Sequence, residues 1–501
     1  METIIRADRF ELPAVCSRIL LTGARFLTMV ATDEIEAGVD RFVLRYFFLV
    51  PMETEIVIVE SLVPVRDPSF ASVTPVLPAA SWYEREIHDL FGIHPQQHPD
   101  LRPLILHEDW PTHVYPLRRE YPVQMKQPRI EGKFIYPQVE GEGVFEVPVG
   151  PIHAGIIEPG HFRFQVMGDS VLHLEAKLFY THRGIEKRSE GMPLKRGLFL
   201  AERICGVCSV SHALSYSQAV EHIAGITVSP RAAYIRTIVA ELERLYNHVG
   251  DIGNICAGVG FAYGSNHGAR LKETLMQLND RVTGHRYLRG MIDLGGVRKD
   301  LTIQNQEDIL QVLQDVQKNL QEIVDVILAN DIVIDRFANT GRLEQEIAKA
   351  FAATGPTARA SGLEVDARVD FPYAAYEHFD IAVPTLAEGD VLARYRIRIL
   401  EANQSIRILQ EAIETLPEGD LQIHIPNLEP YQYGIGITES PRGETIHFLM
   451  IGKGNTIYRY RVRSASYANW PVVPFTVPGT IIADFPLINK SFELCYACCD
   501  R

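Results

Sequence analysis

No apolar stretch of this 501-residue chain reaches the ~18–20 uncharged positions that a membrane-spanning helix requires. FVLRYFFLVP is interrupted by Arg45, and IVDVILANDIVI by Asp325 and Asp331, so any membrane attachment is expected to come from a partner. Runs of Lys and Arg are also missing. With 49 basic against 63 acidic residues the net charge is -14, and a nucleic-acid partner, whose phosphates need clustered cations, is excluded on that balance. The N-terminal METIIRADRFELPAVCSRILLTGARF has neither the basic, apolar and small-residue succession of a secretory signal nor a twin-arginine motif, which predicts a cytoplasmic chain. Cysteine is scarce, seven in all, and in a reducing compartment so small a set points to metal binding or catalysis rather than disulfides.

What is present divides the chain. At roughly 100–200 residues per domain the length suggests two to four domains, and the 46% hydrophobic content supplies a sizeable core. Phe42–Val50 and Glu55–Val63 read as strands, and WYEREIHDLFGI as a short amphipathic helix, giving a small α+β domain over residues 1–121. Residues 122–148, punctuated by Pro and Gly, read as a connector. The third part, 149–501, opens with strands around HFRFQV and VLHLEAKLFY and is then mainly helical: Pro230–Asn254, Ile303–Ala329 and Val391–Ile413 carry apolar residues at three- and four-residue spacing. After Pro426 β-branched and aromatic residues return, which predicts peripheral sheet up to the terminus.

The cysteines carry the chemistry. Cys205 and Cys208, followed by His212, form C-x-x-C-x-x-x-H at the start of an expected helix, ALSYSQAVEHIAG, where the helix N-terminus favours thiolate. Cys495 and Cys498 form a second C-x-x-C in the last seven residues. Four thiolates so arranged suit a tetrahedral zinc, a [4Fe–4S] cluster or a mixed-metal site. Zinc is the simplest from spacing, but a structural zinc normally staples a small module, and a region this large needs no staple. Cys16 and Cys256 have no partner motif and read as inert buried thiols.

These motifs resemble those of the large subunit of [NiFe] hydrogenases. GPIHAGIIEPGHFRF, THRGIEKRSE, ARASG, DFPYAAY, SPRGE and ASYANWP are similar to the energy-converting, membrane-linked branch typified by formate hydrogenlyase and hydrogenase-4. WYEREIHDLFGI with HPDLRPLIL, EDWP and PLRREYP resembles the 30 kDa subunit of respiratory complex I, which this branch carries fused ahead of a 49 kDa-like catalytic region. The likeness spans essentially the whole chain. A complex I-type subunit, reducing quinone without nickel, is the competing reading; it has lost the nickel-binding cysteines, and all four are present here. A zinc-stapled assembly scaffold is a third.

The resemblance implies an oxidoreductase interconverting H2 with protons and electrons, with evolution the expected direction. Cys205 and Cys495 would bind nickel terminally, and Cys208 and Cys498 would bridge it to an iron carrying CO and cyanide. Cys495 would also accept a proton, Glu158 would relay it onward, Arg442 would lie over the metals, and His212 would donate to a bridging sulfur. Glu186 matches a glutamate near the site, of ligand-shell or structural use; Asp484 and Asp370 are weaker candidates. The implied partners are a small iron–sulfur subunit with a [4Fe–4S] cluster, ferredoxin-like subunits, membrane-arm subunits, nickel chaperones and a maturation endopeptidase. That protease cuts after a basic residue three positions beyond the last ligand, and Arg501 stands there. One departure concerns the second pair, where relatives read D-P-C and this chain has Glu493-Leu494-Cys495; Cys499 is a further unusual thiol.

Overall fold

The computed structural model describes residues 2–50, 54–153 and 157–501. It is a mixed α and β fold, with a sheet-rich N-terminal region and a helical region after it. Ala154, Gly155 and Ile156 of the GPIHAGIIEPG motif lie outside the described residues.

The N-terminal sheet has four strands, in the order Glu2–Arg6, Glu55–Pro64, Arg41–Val50, Arg25–Asp33, the first pair parallel and the others antiparallel. The run FVLRYFFLV is apolar at almost every position because both faces of the sheet are covered. On one face Leu44, Tyr46 and Phe48 pack with Leu12, Cys16 and Ile19 of the helix Leu12–Leu21 and with Tyr83 and Ile87 of the helix Ser81–Phe91. On the other, Phe47, Leu49, Ile56 and Ile58 meet Ile435, Ile446, Phe448 and Met450 of a sheet far along the chain. The single charge in the run FVLRYFFLV, Arg45, is buried between Glu34 and Glu60 and stacks over Tyr433.

Residues 122–143 form no helix or strand, but the end of the expected connector differs. Val144–Val149 is a strand, paired antiparallel with His161–Met167, which in turn pairs with Ser170–Lys177. Its exposed, alternating character leaves only a weak apolar signal, which Pro148 masks further.

The helical region is built on Pro230–Ala257, Ala262–Thr283, Ile303–Leu328 and Val391–Glu414. Three of the four start at a side-chain cap. Ser229 accepts from the Ala232 amide, Thr302 and Asn305 form a reciprocal box, and Asp390 accepts from the Ala393 amide, which satisfies first-turn donors that would otherwise lack partners. Gly253 and Gly268 meet where the first two helices cross: a Cβ added to Gly253 would lie 2.9 Å from the Gly268 Cα, so the close approach excludes larger residues.

The last part of the chain departs from expectation. Strands Tyr433–Ser440, Gly443–Gly452 and Thr456–Arg463 form a meander, but from Ala465 onward the chain turns into short helices, ending with Phe485–Phe492 and Tyr496–Asp500. Their β-branched and aromatic residues serve core packing, which overrides local strand preference. Among the described residues no helix is long and apolar enough to cross a membrane.

Candidate metal centre

The two C-x-x-C motifs converge although 290 residues separate Cys205 from Cys495, whose sulfurs lie 3.3 Å apart. Each motif is placed by a helix start. Cys208 is the residue before the helix Ser209–Ala224, and Cys495 caps Tyr496–Asp500, its sulfur accepting from the Cys498 amide at 3.3 Å. Donor sulfurs of Cys205, Cys208 and Cys498 lie within 4.8 Å of one another, and all three residues are buried. Soft, clustered sulfur donors of this kind fit a thiophilic transition-metal centre rather than Mg or Ca, which take oxygen.

The expected effect of the helix N-terminus on Cys208 is not what the geometry provides. The carboxylate of Glu243 takes the amides of Val210 and Ser211 at 2.6 and 2.9 Å, and the Ser211 hydroxyl. Hydrogen bonds from Cys208, Cys495 and Cys498 instead favour thiolate at Cys205, and that thiolate pushes the Cys208 thiol up. Burial raises Glu243 itself to about 7.

A cleft of about 510 Å3 opens onto the cluster. Cys205 and Cys495, the first cysteine of each pair, line it, with Glu158, Arg442 and Glu493, while Cys208 and Cys498 sit behind. The Glu158 carboxylate accepts from the Ala497 amide at 2.8 Å and stands 3.9 Å from the Cys495 sulfur. Arg442 is held by the Glu493 carbonyl at 2.8 Å, Asn247 at 2.8 Å and Asp251 at 3.3 Å. Burial would lower its pKa, but Asp251 and the nearby cysteine thiolates outweigh that, and it stays a cation. His212 lies 3.1 Å from the sulfur of Cys498.

Glu493 adopts a left-handed conformation (φ 53°) at the end of the helix Phe485–Phe492, and its side chain accepts from Asn254 at 2.6 Å. Burial, with Asp251 nearby, raises it to about 7.

Other candidates fall elsewhere. Glu186 is locked by Arg459, Arg461 and Arg501 at 2.8, 3.0 and 2.9 Å, so its contacts are ion pairs rather than sulfur. Asp484 pairs with Arg336 and Asp370 with Arg25, and neither lines the cleft. Cys499 is buried in the apolar cluster with Phe492 and Tyr496. Cys16 and Cys256 are buried, and burial pushes both thiols up to about 12. Asn247, Asp251 and His447 had no sequence signal: each lies on a regular element and meets Arg442 or His212 across 191 to 235 residues of chain, a distance no local spacing reveals.

Comparison with known proteins matches this layout. The family model for "Respiratory-chain NADH dehydrogenase, 30 Kd subunit" matches residues 5–127, that for the 49 Kd subunit matches 259–433 and 429–501, and that for "Nickel-dependent hydrogenase" matches 183–251. Fold and matches together define a fused 30 kDa- and 49 kDa-like oxidoreductase chain with a hydrogenase segment around the first cysteine pair.

Among its relatives, formate hydrogenlyase subunit 5 of Escherichia coli is 37% identical over 444 residues, 88% of this chain and 78% of that protein. Hydrogenase-4 component G of the same organism is 35% identical, over 89% and 78%. Membrane-bound hydrogenase subunit alpha of Pyrococcus furiosus is 32% identical, over 71% and 87%. The chain belongs to the family of energy-converting nickel-dependent hydrogenase large subunits of the formate hydrogenlyase and hydrogenase-4 type. It is a hydrogenase, and the complex I likeness, though real, is the less specific of the two.

Proposed function

We propose that Cys205, Cys208, Cys495 and Cys498 hold a nickel–iron centre, the iron carrying CO and cyanide, and that the chain evolves H2 from protons and electrons. The observation that carries this reading is the convergence of four sulfurs from two distant motifs, one sulfur of each motif lining a single cleft. When bound, such a centre supplies reversible two-electron chemistry on H2.

The chain's own residues manage protons and charge. Cys495 faces the cleft and is the thiolate that takes a proton, because sulfur can titrate while staying a ligand. Glu158, 3.9 Å away, is the next station, and the Ala497 amide keeps its carboxylate aimed at that sulfur. Arg442 presents a fixed positive charge over the cluster, held by Asn247 and Asp251, so it requires no reorganisation during turnover. His212 supports Cys498 from behind the cluster.

Electrons arrive through partners, since no ferredoxin-type cysteine run occurs in this sequence. A small iron–sulfur subunit, ferredoxin-like subunits and a membrane arm are proposed, with the chain peripheral on the inner face of the cytoplasmic membrane. Nickel chaperones and an endopeptidase would load and close the site. Residues 1–121 are read as the 30 kDa-like domain and 149–501 as the catalytic region, joined by the connector expected over 122–148, whose last strand, Val144–Val149, pairs with the catalytic region. Metal analysis with infrared spectroscopy of the purified protein tests the centre: nickel, iron and CO and cyanide bands are expected, and zinc alone would overturn it.

A further inference from the structure

Behind the sulfur cluster, on the side away from the cleft, three fully buried polar side chains stand in line. His212 approaches the Cys498 sulfur through Nε2 at 3.1 Å and His447 through Nδ1 at 2.9 Å. His447 in turn uses its Nδ1 to meet the Tyr460 hydroxyl at 2.9 Å. All three are 0% exposed, and their aromatic neighbours are one another and Tyr216, in tilted or edge-to-face contact. His212 starts in a helix, while His447 and Tyr460 come from adjacent strands of the C-terminal meander, so the line is a product of the fold.

A count of protons sets its direction. The line has three gaps, and a tyrosine with two neutral imidazoles brings one proton to each. If Cys498 is a thiolate it can only accept, so His212 Nε2 carries a hydrogen, Nδ1 is bare, His447 donates from Nε2, and Tyr460 donates to His447 Nδ1. The reverse order would need a thiol at Cys498 and would leave the Tyr460 hydroxyl hydrogen without an acceptor, since His447 is the one partner it has among the described residues. Burial holds His447 well below its ordinary range and Tyr460 well above, which keeps the first neutral and the second protonated.

We propose that His447 and Tyr460 are positioning residues that fix the tautomer of His212, so that its Nε2–H donates to the Cys498 thiolate and draws electron density from that sulfur. This rests on the reading of Cys498 as a metal-bound thiolate. Buried hydrogen-bond chains polarise along their length, so removing the far end is felt at the sulfur.

The test is infrared spectroscopy of the metal-loaded protein and its variants. Tyr460→Phe and His447→Leu should move the CO and cyanide bands to lower wavenumber, because a thiolate with a weaker donor pushes more density onto the iron, with the larger shift in His447→Leu. His447→Gln, whose amide N–H can still donate to His212 Nδ1, should return the bands toward the parent positions. A merely structural role predicts that Leu and Gln act alike, and bands unmoved in both Tyr460→Phe and His447→Leu would overturn the proposal. Independently, 15N spectra of histidine-labelled protein, with His212 assigned through His212→Gln, should show Nε2 protonated and Nδ1 bare; the opposite tautomer would overturn it. If the parent shows no CO or cyanide bands, the reading of the centre falls, and the tautomer measured with zinc on the four thiols decides the inference alone.

Discussion

Two polar regions lie deep in this molecule, and they are built on opposite plans. Around the helices Pro230–Ala257 and Val391–Glu414, carboxylates and guanidinium groups interlock without access to water: Arg244 and Arg359 each bind Glu401 at 2.7 Å, Arg359 reaches Glu439 at 3.0 Å, and Arg368 joins Asp366 at 2.7 Å to Glu241 at 3.1 Å. Nearly every charge there is answered by its opposite. At the sulfur cluster, four soft donors crowd together with Arg442 and Arg183 nearby but no ion-pair partner of their own, and an open cleft leads to them. The first arrangement satisfies itself and specifies packing; the second leaves soft donors unanswered by protein groups, which suits the metal proposed for it.

That contrast can be broken or sharpened by experiment. Cys495→Ala should abolish measurable H2 turnover while leaving the thermal unfolding temperature close to that of the parent metal-free chain; retained turnover would mean that the cluster is not the reactive site. Glu158→Gln should keep metal content and bands in place but slow H2–D2O exchange by about 10²–10⁴-fold, the contribution expected of a positioned proton carrier. Full exchange would assign the relay to another group.

Arg368→Met should behave in the opposite sense, costing about 3–5 kcal/mol of stability in denaturant titration because Asp366 and Glu241 are left buried without it, while metal binding per folded molecule is unchanged. The smallest effect concerns Glu439. Burial, with Asp366 beside it, raises its pKa from 4.5 to about 7. The folded state therefore binds this proton more tightly than the unfolded state, and the associated stability, complete below 4.5, is lost as pH rises through about 7. Thermal melts should fall across that window, and Glu439→Gln should flatten the slope; an unchanged slope would assign the proton elsewhere in the network.

Sequence legibility followed the same division. The C-x-x-C pairs, His212, Arg442 and Glu158 stand in motifs whose residue types announce their chemistry, and the long helices carry periodicity and caps that mark them. His447 and Tyr460 were invisible because each is one residue within a strand, with partners set by tertiary register rather than by spacing. The strand Val144–Val149 escaped because its outer face is solvated, and the helices after Ala465 because packing overrides their composition. The run FVLRYFFLV announced a strand, yet the cover on its second face lies nearly 400 residues away in sequence.

That second face has a companion in the ion pairs of the last turn. Arg501, three residues past Cys498, is buried with its guanidinium between Glu186 and Glu86, and Glu86 belongs to the helix Ser81–Phe91 of the N-terminal region. On the proposed function, occupancy of the sulfurs and cohesion between the two regions would be linked equilibria. A metal held by Cys498 would steady the turn that Glu86 grips, and by reciprocity a firmly seated N-terminal region would raise the affinity of the sulfurs for metal.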